Sequence, residues 1–443
     1  MIYDVIIIGA GPGGYIAAER AGARGKSVLL IEKAHLGGVC TNEGCIPTKS
    51  LLHSAKQYVH GLEAEKFGVR FDGAHFDLAE AMAWKQDVIE TLRKGIAFLM
   101  KKYNVEVVTG DAQVLDRQTV RVNDRTYQGK NLIIATGSSA SIPPIPGVDS
   151  PQVVTNREIL QITELPKSLV IVGGGYIGME FASFFSSVGV EVHVIEMMDE
   201  IVPAMDADFA RLLRKSIDKV SYHLGAKVEA IQGNTVTFSS QGQSASLQAD
   251  LILMSVGRRP NVQGLDHLGL DIQRQGIKVN EQMQTNLPGV YAIGDVNGAS
   301  LLAHSASRMA EVAVNTLCGQ TDRMRYHAIP WVVYTLPEAA GCGLTEQEAQ
   351  KQGFSVKTAT MQMRANGRFL AEYGKRAPGM CKVVVDANTD ILKGVHLFGS
   401  ACSEMIYGAA AMIEAELRVQ DIQQIIFPHP TVSEVIKDTL WEL

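Results

Sequence analysis

Val5-Ile6-Ile7-Ile8-Gly9-Ala10-Gly11-Pro12-Gly13-Gly14 and Leu169-Val170-Ile171-Val172-Gly173-Gly174-Gly175-Tyr176-Ile177-Gly178 are two copies of one pattern. Each is an unbroken apolar run, as expected of a strand buried on both faces. The run breaks into Gly-x-Gly-x-x-Gly and continues as a helix-like stretch, in the first copy through Arg24. A second apolar run follows, Val28 to Ile31 or Val192 to Ile195, and stops at Glu32 or Glu196. Gly9 and Gly173 are 164 positions apart, and so are Gly25 and Gly189, and Glu32 and Glu196.

A lone glycine triplet says little, because ordinary turns contain them. Between a buried strand and a helix, with an acid 18 positions past the last glycine, each residue has a physical task. Gly9 and Gly173 make the tight turn; Gly11 and Gly175 let the backbone approach a pyrophosphate. Gly14 and Gly178 let helix and strand pack closely, and the glutamates accept from ribose hydroxyls. The sequence therefore predicts an α/β fold with two Rossmann-like dinucleotide sites. Glu196 opposes a 2′-phosphate, and Met197 and Met198 follow it with no arginine nearby, so the second site favours NAD over NADP. Leu132 to Gly137 and Leu251 to Gly257 read as strands closing the two units, and Val290 to Asp295 as another strand with an acid at its end. Pro143, Pro144 and Pro146 mark a linker, and from about Tyr326 the pattern changes to α+β, with strands at 382–385 and 394–398 and a helix from Glu404 to Leu417.

The 443 residues suit two to four domains. With 46% hydrophobic and 20% charged residues, the composition is that of a globular protein with ample core. A net charge of −6 argues against nonspecific binding to nucleic acid or to an anionic membrane. The apolar run at 5–8 is too short for a signal sequence or a membrane span. Six cysteines in so long a chain make no disulfide framework, so the expected compartment is the cytoplasm.

Only Cys40 and Cys45 lie close together. Four intervening residues are not the two of thioredoxin-like motifs, and no metal is expected, since zinc needs two further ligands that are not nearby. Spacing alone leaves a redox pair and two unconnected buried thiols both open. Position favours the redox pair. The two cysteines follow Glu32 directly, flanked by Gly37, Gly38 and Gly44, which permit close approach to a planar ring. Flavin mediates between hydride and thiol chemistry, so FAD is expected in the first site and NAD in the second.

The stretch from Leu36 to Lys49, with its Cys-Thr-Asn-Glu-Gly-Cys centre, resembles the active-site motif of the pyridine nucleotide–disulfide oxidoreductases, and among them the dihydrolipoamide dehydrogenase branch. The likeness extends to 173–180, Gly294-Asp295, Tyr334 to Glu338, and His429-Pro430-Thr431-Val432-Ser433-Glu434. It implies four segments: an FAD-binding domain at 1–144, an NAD-binding domain at 145–262, a segment completing the FAD site at 263–327, and a C-terminal α+β dimerisation domain at 328–443. It implies that Cys40 is the interchange thiol and Cys45 the charge-transfer thiol. Lys49 would pair with Glu180 near the flavin, and Asp295 would hold the ribityl chain. Ala112, Gly137 and Ala303 would contact FAD, and Val228 and Gly257 would contact NAD. His429 would be the general base, oriented by Glu434 and reaching the other subunit of a homodimer.

Each of these residues has a plainer reading. Lys49 and Glu180 alone are ordinary helix residues, and Ala112 and Val228 alone are packing residues. Thr431-x-x-Glu434 also reads as a helix capping box. Three positions depart from the family: Glu43 puts a negative charge between the cysteines, Phe427-Pro428 precede His429, and Leu336 replaces a usual polar residue. The expected reaction oxidises protein-bound dihydrolipoamide with NAD⁺. The carrier is expected on another protein, from a 2-oxo acid dehydrogenase or glycine-cleavage complex, because no lipoyl segment precedes the first unit. Glu196 disfavours a glutathione reductase, and the ending Trp441-Glu442-Leu443, without a cysteine pair, disfavours a mercuric reductase. Another NAD(P)H-dependent disulfide reductase of the family, a flavin NADH oxidase or diaphorase, and a docking subunit are the remaining alternatives.

Overall fold

The computed structural model describes residues Met1–Leu443. Strand β1 (Ile2–Ile8) runs parallel between β2 (Val28–Glu32) and β6 (Arg125–Ile134), with Val5 opposite both Val28 and Asn131. Val5, Ile6 and Ile7 are buried on both faces, which is why the run is continuous rather than alternating. Helix α1 (Pro12–Ala23) starts at a proline, where the missing N–H has no intrahelical partner to lose. Its buried face of Gly13, Gly14, Ala17, Ala18 and Ala21 lets the helix Ala303–Leu317 lie close against it.

The first sheet has the order β3 (Val105–Thr109), β2, β1, β6, β5 (Thr119–Val122), β4 (Ala112–Asp116), and the strand Val290–Ala292 also joins β6 in parallel. Between β2 and β3 the chain forms α2 (Gly38–Glu43), α3 (Cys45–Glu63) and α4 (Leu78–Lys102), the last capped by Asp77, which accepts from the Glu80 N–H. Gly44, at φ −149° and ψ −108°, breaks the helical path, so Cys40 lies on α2 while Cys45 opens α3.

The second unit repeats the plan. Its parallel five-stranded sheet has the order 220–223, 191–195, 168–172, 251–254, 153–154. The short helix α5 (Asn156–Ile159) follows its edge strand 153–154, and α6 (Tyr176–Ser187) follows the second glycine motif. Gly11 and Gly175 precede α1 and α6 with nearly the same backbone angles, φ −70° and −75°. A three-stranded antiparallel sheet (226–232, 235–240, 243–248) packs on this unit.

The C-terminal segment is an antiparallel five-stranded sheet, order 331–333, 338–343, 392–399, 380–386, 356–362, with helix Cys402–Glu414 packed on it. That helix ends three residues before the Leu417 boundary read from the sequence, since Glu416 takes a left-handed φ of +51°. The whole is the expected α/β architecture with a C-terminal α+β segment. No helix is long and apolar enough to cross a membrane.

Candidate active site

The two glycine motifs are built alike. Gly9 and Gly173 have φ of +95° and +105°, and a Cβ on either would lie 2.3 or 2.4 Å from the carbonyl oxygen of Ala135 or Ser255. A Cβ on Gly14 or Gly178 would lie 1.7 or 2.1 Å from the Gly9 or Gly173 oxygen, so only glycine lets the helix sit this close to its strand. At the middle glycines the space is open: Gly11 has its nearest atom at 3.9 Å and Gly175 has none within 4 Å. The glutamates brace these loops. Glu32 accepts from the Ala10 N–H (2.7 Å) and the Ala34 N–H (2.8 Å), and Glu196 from the Gly174 N–H (2.6 Å) and the Met198 N–H (2.8 Å). The donors keep the 164-residue offset. Each carboxylate oxygen retains a second lone pair for a ribose hydroxyl.

The open side of Gly11 faces a cavity of about 1280 Å³. It begins at Glu32 and Ala112, passes Gly9, Gly137 and Ala303, reaches Cys40, Cys45, Lys49 and Asp295, and continues to Gly175, Glu180 and Gly257. Its size, the phosphate-sized opening at each middle glycine and the braced glutamates fit FAD in the first unit and NAD against the second. Asp295 Oδ2 accepts from Ser138 Oγ (2.5 Å) and lies 3.9 Å from Arg258 Nε. Gly14, Gly173, Gly178, Glu196 and Val228 do not line this cavity. The glycines are packed against backbone, Glu196 is nearly buried, and Val228 sits opposite Phe238 in the core of the second unit.

Cys40 and Cys45 are free, partly buried thiols that line the cavity together and perturb one another. The hydrogen bond from Cys40 holds the Cys45 value down at about 7 although burial opposes it, and the charge of Lys49 adds to the lowering. Cys40 is pushed up, first by donating to Cys45 and then by burial. Cys45 also starts a 19-residue helix, whose N-terminal dipole favours an anion. These effects favour the proton on Cys40 and the anion on Cys45 in the reduced pair. Lys49, one turn along α3, places Nζ 2.8 Å from both oxygens of the buried Glu180 on α6 and 4.6 Å from the centre of the Tyr334 ring. Tyr334 N–H also donates to Glu180 Oε1 (3.1 Å). Burial works against the ammonium, but Glu180 holds Lys49 above the ordinary lysine value, so it stays charged.

His429 lies away from this cavity, with its side chain 81% exposed. Nδ1 is 3.0 Å from Glu434 Oε1, which leaves Nε2 facing outward. Glu434 Oε2 accepts from the Thr431 N–H (2.9 Å), and the two contacts together, the backbone one first, lower the carboxyl. The capping box is only half made, because Thr431 Oγ1 donates to the Pro428 carbonyl instead. Phe427 packs on the C-terminal core, and the Leu336 N–H donates to Ser183 Oγ on α6.

Sequence reading passed over several residues around the cysteines. Arg157 Nη2 is 2.9 Å from Glu43 Oε2, and Asn156 Nδ2 donates to the Glu43 carbonyl (2.6 Å). Arg93 Nε on α4 donates to Asn42 Oδ1. Arg258 donates to the hydroxyl and the carbonyl of Ser138, both at 2.7 Å. Of these only Arg258, directly after Gly257, carried a positional hint. No group of three or more His, Cys, Asp or Glu side chains is placed to hold a metal ion.

Comparison with known proteins agrees with this geometry. The family model described as pyridine nucleotide-disulphide oxidoreductase matches residues 3–310, and the model of that family's dimerisation domain matches 329–440. The chain is 36% identical to a Bacillus subtilis dihydrolipoyl dehydrogenase over 98% of its own length and 94% of that protein's. It is 40% identical to a Thermus scotoductus dihydrolipoyl dehydrogenase (98% and 95%) and 47% identical to one from Acholeplasma laidlawii (70% and 95%). Among solved structures it resembles the Cu(II) complex of the HOCl-induced flavoprotein disulfide reductase RclA from Escherichia coli, with a TM-score of 0.89, 29% identity and 100% of both chains covered. The chain belongs to the pyridine nucleotide-disulphide oxidoreductase family and is an FAD- and NAD(H)-dependent disulfide oxidoreductase.

Proposed function

We propose that this enzyme is a dihydrolipoyl dehydrogenase, oxidising protein-bound dihydrolipoamide with NAD⁺ as a homodimer. The observation that carries the reading is the pair Cys40 and Cys45 in the cavity wall beside the Lys49–Glu180 ion pair, which favours an anion on Cys45. The relatives named dihydrolipoyl dehydrogenase, at 36–47% identity, support the substrate class.

The residues divide the work as follows. The partner subunit's His429 takes a proton from the substrate dithiol at Nε2, and Glu434 holds Nδ1–H and stabilises the charged ring. The substrate thiolate attacks Cys40 Sγ; the Cys40–Cys45 bond breaks, and the electron pair stays on Cys45 Sγ, opposite the Lys49 charge. The second substrate thiol then attacks the substrate sulfur bound to Cys40, closing the product disulfide and freeing Cys40. Gly9, Gly11, Glu32, Ala112, Gly137, Asp295 and Ala303 would line the FAD site, with Gly14 keeping its helix close to the strand. Gly175 and Gly257 would face NAD, while Gly173, Gly178 and Glu196 shape and brace that loop and Val228 packs beneath it. Bound FAD supplies the two-electron relay between dithiol and nicotinamide.

The RclA likeness favours a second reading, an NADH-consuming reductase of another substrate. A panel of dithiols (dihydrolipoamide, glutathione, coenzyme A) with NAD⁺ and NADP⁺ separates the two. The dehydrogenase reading expects dihydrolipoamide with NAD⁺ to exceed every other pairing by at least about tenfold. Full turnover by a Cys45→Ser variant, or no dihydrolipoamide turnover by the parent, refutes it.

A further inference from the structure

We infer that Arg157, reaching from the second nucleotide unit to Glu43, is a positioning residue that neutralises the charge between the redox cysteines and so keeps Cys45 a thiolate. This rests on the reading of Cys45 as the low-affinity proton site of the pair.

Glu43 ends α2, the helix that carries Cys40, and only Gly44 separates it from Cys45. An acid here, alone, would disfavour a neighbouring thiolate. It is not alone. Arg157 Nη2 lies 2.9 Å from its carboxylate, and Asn156 Nδ2 donates to its carbonyl, so the start of α5 grips the residue by both side chain and backbone. Thr155 fixes that grip. It caps α5 by accepting from the Arg157 N–H, while Glu158 returns to the Thr155 N–H (2.8 Å). Glu43, Arg157, Cys45 and Arg258 all line the cavity, and the Arg258 guanidinium feels Cys45, Glu43 and Arg157 together.

The other groups facing the thiols are Tyr15 on α1, Lys49 on α3, Glu180 on α6, Arg258, and Asp295. Lys49 is already committed to Glu180 at 2.8 Å, and Arg258 lies nearer Ser138 and Asp295. Neither makes an ion pair with Glu43, although Arg258 feels its charge. Arg157 is the cation in contact with it, and the contact also ties the unit that receives NAD to the segment that carries the dithiol. With Arg157 more than half exposed, solvent screens the pair, and its contribution to overall stability is small. Its effect on a thiol two residues away is read directly in the thiolate fraction.

The test uses the full-length chain in a Cys40→Ser background, where Cys45 titrates alone. Alkylation of Cys45 by iodoacetamide, located by mass, is followed from acid to alkaline pH. Arg157→Gln is expected to raise the midpoint so that Cys45 reacts about threefold to tenfold more slowly at neutral pH, the effect of one uncompensated nearby charge. Arg157→Lys should recover most of the rate, and Glu43→Gln added to Arg157→Gln should return the midpoint to the background value. Glu43→Gln alone should lower it, which serves if Arg157→Gln does not fold. An unmoved midpoint in both single variants, or a double variant that stays as slow as Arg157→Gln, overturns the inference. If instead Lys49→Met in the same background also leaves the midpoint unmoved, the reading of Cys45 as an electrostatically favoured thiolate fails and not merely the role of Arg157.

Discussion

Replacing Lys49 with methionine keeps the stem of the side chain and removes its charge. Two groups then lose a partner. Glu180, almost fully buried, is left with the Tyr334 N–H as its one close donor, and Cys45 loses the cation that helps hold its proton affinity down. Removing one partner of a buried pair costs about 3–5 kcal/mol, and because the Lys49 side chain is about one-third exposed, solvent screening brings this to about 2–3 kcal/mol here. For Cys45, the hydrogen bond from Cys40 remains and is the larger effect, so the thiol should climb by about one unit rather than return fully to the ordinary value. The sign follows from proton linkage. A thiol held near 7 in the folded chain contributes stability that is complete above its unfolded value, about 8.5, and lost as pH falls through about 7. Lys49→Met narrows that window. Ultraviolet thiolate absorbance against pH, on the reduced chain, should show the midpoint moving upward. Adding Glu180→Gln should bring it part of the way back, since Glu180 opposes the thiolate. A Lys49→Met midpoint equal to the parent's would refute the assignment of Lys49 as an electrostatic partner of Cys45.

Gly178→Ala should abolish NAD binding while the protein remains yellow, because the new methyl would fall 2.1 Å from the Gly173 oxygen in the second unit only; Gly14→Ala should instead yield colourless protein after gel filtration. Glu196→Gln should raise KM for NAD⁺ about tenfold, roughly 1.4 kcal/mol, with no gain of NADP⁺ use in steady-state assays, since removing the acid adds no phosphate-binding arginine. Mixing inactive His429→Ala and Cys45→Ser chains should restore about a quarter of parental activity, because half of the reassociated dimers then own one complete site. No recovery on mixing would place His429 outside the partner's site.

The cofactor sites were legible because their constraints are local. A turn that only glycine can make at Gly9, a close helix at Gly14 and a loop-bracing acid at Glu32 fall within 24 residues, and the second copy repeats them at a fixed offset. What surrounds the cysteines was not legible from spacing, since nothing near Glu43 in sequence announces Arg157, and nothing near Cys45 announces Glu180 or Tyr334. These partners arrive from the second unit and the C-terminal segment, and only the packed chain brings them together. The same distinction explains Glu43 itself. Read locally, it is an acid that should oppose a thiolate; in the fold it is half of an ion pair whose other half belongs to the NAD unit. The affinity of Cys45 for its proton is therefore set jointly by two units that each look complete in sequence. A mutation in α5, far from either cysteine in the chain, should alter the chemistry of the pair as directly as a change between them.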